Sequence, residues 1–274
     1  MNSCFVSIPV ANLFLHPEEK SIATQTIYGQ SLECLEGVNY KGEKWYRVSF
    51  REDSFRGYIR ASDVISGFSF SDRMYKTSSL QTHIYSFNDT VPSPPILELP
   101  MGSCIKLLHP DFSSLETRWY ETELLDGRRA WVQRGDIEER GEIFIKEAEK
   151  LIEYSKKFLG RPYLWGGKSS FAYDCSGFIQ MLASKAGVSL PRDSKDQCSS
   201  NLLLSVERGD LKACDLLFFG TDRVSHAGMY IGDGAFIHSG VRNHRPYIHI
   251  DTFDESDYPF LCARRMLFNG LRHP

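Results

Sequence analysis

The sequence predicts an α+β fold class: two small β-barrels, then a domain in which helices precede a run of strands. Three observations carry this. The first half of the chain repeats itself, each copy is made of short alternating segments broken by Gly, Asp and Pro, and beyond Ile143 the hydrophobic period becomes helical.

The repeat is direct. Trp45-Tyr46-Arg47-Val48 recurs as Trp119-Tyr120-Glu121-Thr122. Arg56-Gly57-Tyr58-Ile59-Arg60-Ala61-Ser62-Asp63-Val64 recurs as Arg129-Ala130-Trp131-Val132-Gln133-Arg134-Gly135-Asp136-Ile137. Upstream, Gly29-Gln30-Ser31-Leu32 aligns with Gly102-Ser103-Cys104-Ile105, and the offset is 73 or 74 throughout. Residues 1–66 and 67–140 are thus expected to be two barrels. Val91-Pro92-Ser93-Pro94-Pro95 reads as a loop, because proline cannot donate to a ladder.

Residues 141–274 form the third expected domain. Phe144, Ala148, Leu151, Ile152, Ser155 and Phe158 follow helical spacing, ended by Gly160 and Pro162. A second helix is expected over 175–186, with Asp174 as N-cap and Gly187 past its end. Strands are expected over 215–219, 226–231, 235–239 and about 261–267.

Composition excludes some partners. A net charge of −3 offers no electrostatic case for nucleic acid or an anionic membrane surface. No stretch approaches the roughly 18–20 apolar residues of a membrane span. The first residues have neither a basic cluster nor a long apolar run, so no signal peptide is expected. The seven cysteines are widely spaced with no Cys-x-x-Cys pair, which argues against a zinc knuckle and for a reducing cytoplasm.

Cys175 stands at the expected start of a helix, where the free N–H groups and the helix dipole stabilise a thiolate and can hold an oxyanion. Gly177 is expected to leave one side of that turn bare for substrate. On the strands, the loop decides whether His226 and His238 meet. A two-residue Asp-Gly turn would place them on opposite faces. A three-residue Gly232-Asp233-Gly234 loop, or a bulge of equal effect, pairs Gly228 with His238 and puts both histidines on one face. The latter is predicted, as the spacing suits a base and the group that orients it. The other histidines read as structural or solvated, a buried structural Cys175 is the bland alternative, and nothing in the spacing favours a metal on Cys175, His226 and His238.

These residues also carry a resemblance. Arg161-Pro162-Tyr163-Leu164-Trp165-Gly166-Gly167, Asp174-Cys175-Ser176-Gly177-Phe178, Gly209-Asp210-Leu211, Ser225-His226-Ala227-Gly228-Met229-Tyr230-Ile231-Gly232 and Phe236-Ile237-His238-Ser239, in that order, resemble the NlpC family of papain-like cysteine peptidases. The two repeats resemble bacterial SH3-like domains, the second less closely. The resemblance implies a papain-like catalytic domain preceded by two SH3-like β-barrels. It implies a triad of Cys175, His226 and His238, and a substrate pocket lined by Tyr163, Asp174, Ser176, Asp193 and Ser194. The implied reaction is hydrolysis of the γ-D-glutamyl–diaminopimelate amide in short murein peptides with a free N-terminal L-Ala, as in peptide recycling, by a cytoplasmic monomer without cofactor.

One run departs from the family. Ser54-Phe55-Arg56-Gly57-Tyr58 stands where related members have a Gly-Tyr-x-Gly-Trp-like run, so Phe55 lacks the hydroxyl, and recognition of a free N-terminal L-Ala is either weaker or falls to Tyr58, Glu18 or Glu19. Two other readings stay open: a non-catalytic module that binds murein fragments, and an amidase or acyltransferase on the same fold.

Overall fold

The computed structural model describes residues 2–50, 53, 55–66, 74–91, 94–114, 116–138 and 144–266. The expected domain boundaries at 66/67 and 140/141, Ser54 of the departing run, Pro92 and Ser93 of the proline loop, and His273 fall partly or wholly outside them. The chain divides into two compact units. One takes Met1–Arg51, Arg56–Glu142 and Ser169–Phe171, and the other takes Glu52–Phe55, Ile143–Lys168 and Ala172–Pro274.

In the first unit the repeat in sequence is a repeat in topology. The first copy orders its sheet Arg56–Arg60, Glu43–Ser49, Ser31–Tyr40, Asn2–Val6, then Val64–Ser66. The second copy has the same run of Arg129–Gln133, Trp119–Glu123, Cys104–Leu108 and Met74–Lys76, with Gln81–Tyr85 and Leu97–Pro100 added beyond Arg129–Gln133. In both, the hairpin is followed by a single 3-10 turn, Ala61–Asp63 and Arg134–Asp136. Alternation drives it: Ile105, Leu107, Tyr120, Ala130 and Val132 point inward between half-exposed neighbours.

The two copies share a core and group as one unit. Tyr28 of the first copy is buried among Ile84, Leu99 and Leu125 of the second, and its hydroxyl accepts the Leu125 N–H at 2.7 Å. Gly29 makes that approach possible. Its φ is +75°, and a Cβ there would lie 2.0 Å from the Cys104 carbonyl oxygen. The Cys104 N–H in turn donates to the Tyr28 carbonyl at 2.9 Å.

In the second unit, α1 spans Ala148–Lys156, α2 Cys175–Lys185 and α3 Ser194–Cys198. α1 begins later than the periodicity suggests, because Glu147 is extended and Phe144 stays exposed ahead of it. Gly160, at φ +80°, follows its end. α2 matches its expected span and buries Phe178, Ile179, Leu182 and Ala183. An antiparallel sheet runs Leu203–Val206, Phe260–Met266, Leu216–Phe219, His226–Gly232, Ala235–Ser239 and Ile248–Thr252. Leu216–Phe219 is buried on both faces, as its unbroken apolar run requires. The first and last strands were not predicted; Ile248–Thr252 has buried polar residues where alternation would place them outside.

Topology also pairs cysteines that the linear spacing keeps apart. Cys4 and Cys34 bring their sulfurs to 2.8 Å, and Cys198 and Cys262 to 3.2 Å. Mild oxidation of the folded protein is expected to yield these two cross-linked peptides in a digest; either cysteine recovered with a different partner would contradict the placement. Gly29→Ala is expected to lower unfolding stability in urea by more than about 1–2 kcal/mol, since the left-handed backbone alone costs that much for an L-residue. An unchanged midpoint would contradict the shared core.

Candidate active site

The first turn of α2 is built around Asp174. Its carboxylate accepts the N–H of Gly177 at 2.6 Å and of Gly166 at 2.9 Å, which caps the helix and closes the preceding loop. Arg192, equally buried, donates to both carboxylate oxygens, at 3.1 and 2.6 Å, and to the Ser176 hydroxyl at 2.8 Å. Asp174 and Ser176 are thus hydrogen-bonded within the protein, at the turn where the resemblance implied a substrate pocket. Gly177 differs from expectation. The bare side of its turn is filled by the Gly167 carbonyl, which a Cβ would meet at 2.3 Å.

Cys175 is buried at this turn. Burial pushes its thiol up to about 12, and the Asp174 charge acts in the same direction. The backbone N–H groups of Ala227 and Ser176 oppose this but do not overcome it. Burial thus disfavours a lone thiolate and opposes the stabilisation that the helix start offers.

The hairpin places both histidines on one face. Met229 pairs with Ile237 and Tyr230 with Phe236; a bulge at Ile231 then lets Gly232 pair with Ala235 around the turn Asp233-Gly234. The bulge has the effect predicted for a three-residue loop. His226 Nε2 lies 2.7 Å from His238 Nδ1. His226 also stacks on Tyr258, with centroids 3.9 Å apart, and Arg242 covers the other face of that ring at 4.3 Å.

The row continues onto the unpredicted strand. His238 Nε2 lies 3.2 Å from Asp251 Oδ2, while Arg245 holds Oδ1 at 2.6 Å. His249 Nε2 approaches the same Oδ2 at 3.4 Å. Burial raises Asp251, but the hydrogen bonds from His238 and Arg245 outweigh it and hold the carboxyl well below the usual range. Burial lowers both His226 and His238, and their mutual repulsion lowers His226 further. Among the described residues, His238, His249 and Asp251 could together offer a metal three ligand atoms. The Arg245 guanidinium on the same carboxylate already supplies the positive charge.

The other expected residues are spread around the turn. Tyr163 is half-buried, and burial raises its phenol, with the Cys175 and Asp174 charges adding to the rise. Asp193 is exposed ahead of α3 without capping it, and half-buried Ser194 opens that helix. Sequence reasoning missed Arg192, Asp251 and Asp53. The Asp53 side chain is buried in this unit, accepting from Gln180 Nε2 at 2.9 Å and facing Lys168 Nζ at 3.5 Å. Phe55 donates its N–H to the same carboxylate at 3.0 Å. Only an isolated Asp beside the departing run could have signalled it.

The NlpC/P60 family profile matches residues 160–257, which contain the cysteine turn and all three histidines of the row. A Bacillus cereus protein named gamma-D-glutamyl-L-lysine dipeptidyl-peptidase is 31% identical over 80% of this chain and 67% of its own length. A Bacillus subtilis protein of the same name is 42% identical over 44% of this chain and 42% of its own. The chain thus spans about two thirds of the first relative and under half of the second. The crystal structure of an NlpC/P60 family protein from Bacillus cereus superposes with a TM-score of 0.78 at 25% identity, covering 97% of this chain and 99% of that one.

Removing Arg192 leaves the Asp174 charge buried and unpaired. Arg192→Ala is expected to cost about 3–5 kcal/mol of unfolding free energy; a loss below about 1 kcal/mol, the value of an exposed pair, would contradict its role. The histidines set a pH dependence. Both hold a folded-state pKa below 6.5, so the unfolded chain binds protons first as pH falls. Their contribution is complete above about pH 6.5 and is lost below it. The urea midpoint is expected to fall between about pH 7.5 and about pH 5.5, and a flat profile would contradict two buried neutral imidazoles.

Proposed function

The chain belongs to the NlpC/P60 family of cysteine peptidases, and we propose from this that it hydrolyses the amide between D-glutamate and the following diamino acid in short murein peptides with a free N-terminal L-Ala. The observation that carries the reading is the buried contact of His226 Nε2 with His238 Nδ1 at 2.7 Å, on the strand whose Ala227 N–H reaches Cys175.

In the proposed mechanism Cys175 is the nucleophile and His226 its base. Each charge alone is disfavoured by burial, but moving the thiol proton to His226 changes no net charge, so the two groups ionise together as an ion pair. The sulfur attacks the γ-glutamyl carbonyl. Backbone N–H groups at the start of α2, with Tyr163, hold the oxyanion. His226 protonates the leaving amine, then activates the water that releases the acyl group, and His238 orients its ring. Asp174 and Ser176 shape the pocket wall through Arg192 and the Gly166-Gly167 loop. Asp193 is the carboxylate left for the substrate's free amine, with Ser194 beside it. The relatives' names, which specify dipeptidyl release at a γ-D-glutamyl bond, favour this over a binding module or an acyltransferase. They also name L-lysine, so lysine joins diaminopimelate as the diamino acid.

We assign the two repeats as SH3-like modules, and the protein as a cytoplasmic monomer that recycles peptides. Among the described residues no helix is long and apolar enough to cross a membrane.

The test is product analysis by mass spectrometry on L-Ala-γ-D-Glu-diaminopimelate and its L-Lys counterpart, comparing wild type with Cys175→Ala. Release of L-Ala-D-Glu by wild type alone is expected. An intact peptide that nevertheless binds would favour the binding module, and cleavage only of an N-blocked peptide would overturn the free-amine pocket.

A further inference from the structure

We propose that Asp251 is a positioning residue that sets the tautomers of both active-site histidines, leaving Nδ1 of His226 as the basic nitrogen available to Cys175. The inference deepens the peptidase reading and rests on it for the role of the base.

Donors and acceptors along the row decide the tautomers. The Asp251 side chain is buried, with Arg245 on Oδ1 at 2.6 Å, so it stands as a carboxylate that accepts and cannot donate. His238 Nε2, 3.2 Å from Oδ2, must therefore carry the proton of that hydrogen bond. In a neutral imidazole the other nitrogen is then an acceptor. His226 Nε2, 2.7 Å from His238 Nδ1, must in turn be the donor, and the lone pair of His226 moves to Nδ1. The order of protons is dictated from the far end of the row.

Without that end, two arrangements of the histidine pair satisfy the same contact. In the second, His238 donates from Nδ1, the His226 proton sits on Nδ1, and no lone pair is left to accept the thiol proton. His249 cannot substitute for Asp251. Its Nδ1 faces the Tyr247 carbonyl at 2.7 Å and must donate there, so its Nε2 donates to Asp251 only when the ring is protonated. Strand register supports the assignment: His238 lies opposite His249 and Phe236 opposite Asp251, so the carboxylate reaches His238 diagonally across the ladder.

Nitrogen-15 NMR of histidine-labelled protein tests this without substrate, so failure here is separable from failure of the peptidase assignment. In wild type at neutral pH, His238 is expected as the Nε2–H tautomer, with Nε2 of His226 protonated. In Asp251→Asn the His238 population is expected to divide between tautomers. The variant's kcat is expected to drop at least about 10-fold, toward the roughly 10⁴-fold loss that a wrong tautomer produces in a Ser-His-Asp triad, with KM within about two-fold. An Nδ1–H tautomer on His238 in wild type would overturn the proposal, even if the variant failed to fold. So would a folded Asp251→Asn in which His238 stays wholly the Nε2–H tautomer and kcat is unchanged.

Discussion

One carboxylate holds the first turn of α2. Asp174 accepts N–H groups from the helix and from the Gly166 loop, and it pairs through both oxygens with Arg192. Because Arg192 is as buried as its partner, neither charge survives alone. The pair sets the start of the helix, the start of the helix sets Cys175, and Gly167 fills the space that Gly177 leaves open. The start of the helix is thus closed by the protein itself.

The second constraint is dryness. Cys175, His226 and His238 are all buried, and burial opposes charge on each. Such a site remains neutral until a proton moves inside it, and the move is directional only if the imidazoles hold fixed tautomers. Small residues allow the row to form. At Gly240 a Cβ would come within 2.7 Å of the His238 ring and 2.9 Å of the His249 ring, and at Gly228 within 3.3 Å of the His238 Cβ. The Tyr258–Arg242 stack closes the outer face of His226.

Much of this was legible in the residues, and the gaps have physical causes. α2, its Asp174 cap and the hairpin strands follow from local period and capping chemistry. The common face of His226 and His238 followed from weighing turn geometry, although the register is reached by a bulge at Ile231. Helix-dipole support for a Cys175 thiolate can be read from sequence, but the depth of burial that opposes it cannot. Asp251 was invisible because Ile248–Thr252 turns polar side chains inward, against the rule that strand alternation relies on. Arg192 carries no local signal, because its partner lies 18 residues earlier. The repeat was plain in sequence, whereas the shared core around Tyr28 depends on a contact between copies that no local pattern encodes.

The central claim is that the Cys175 proton leaves by way of His226. It is tested most directly by the rate of Cys175 alkylation with a small neutral electrophile as a function of pH, in wild type and in His226→Ala. The account predicts rapid labelling near neutral pH in wild type. In the variant, labelling should rise only at alkaline pH, as a buried thiol with no base beside it requires. Superimposable profiles would contradict it.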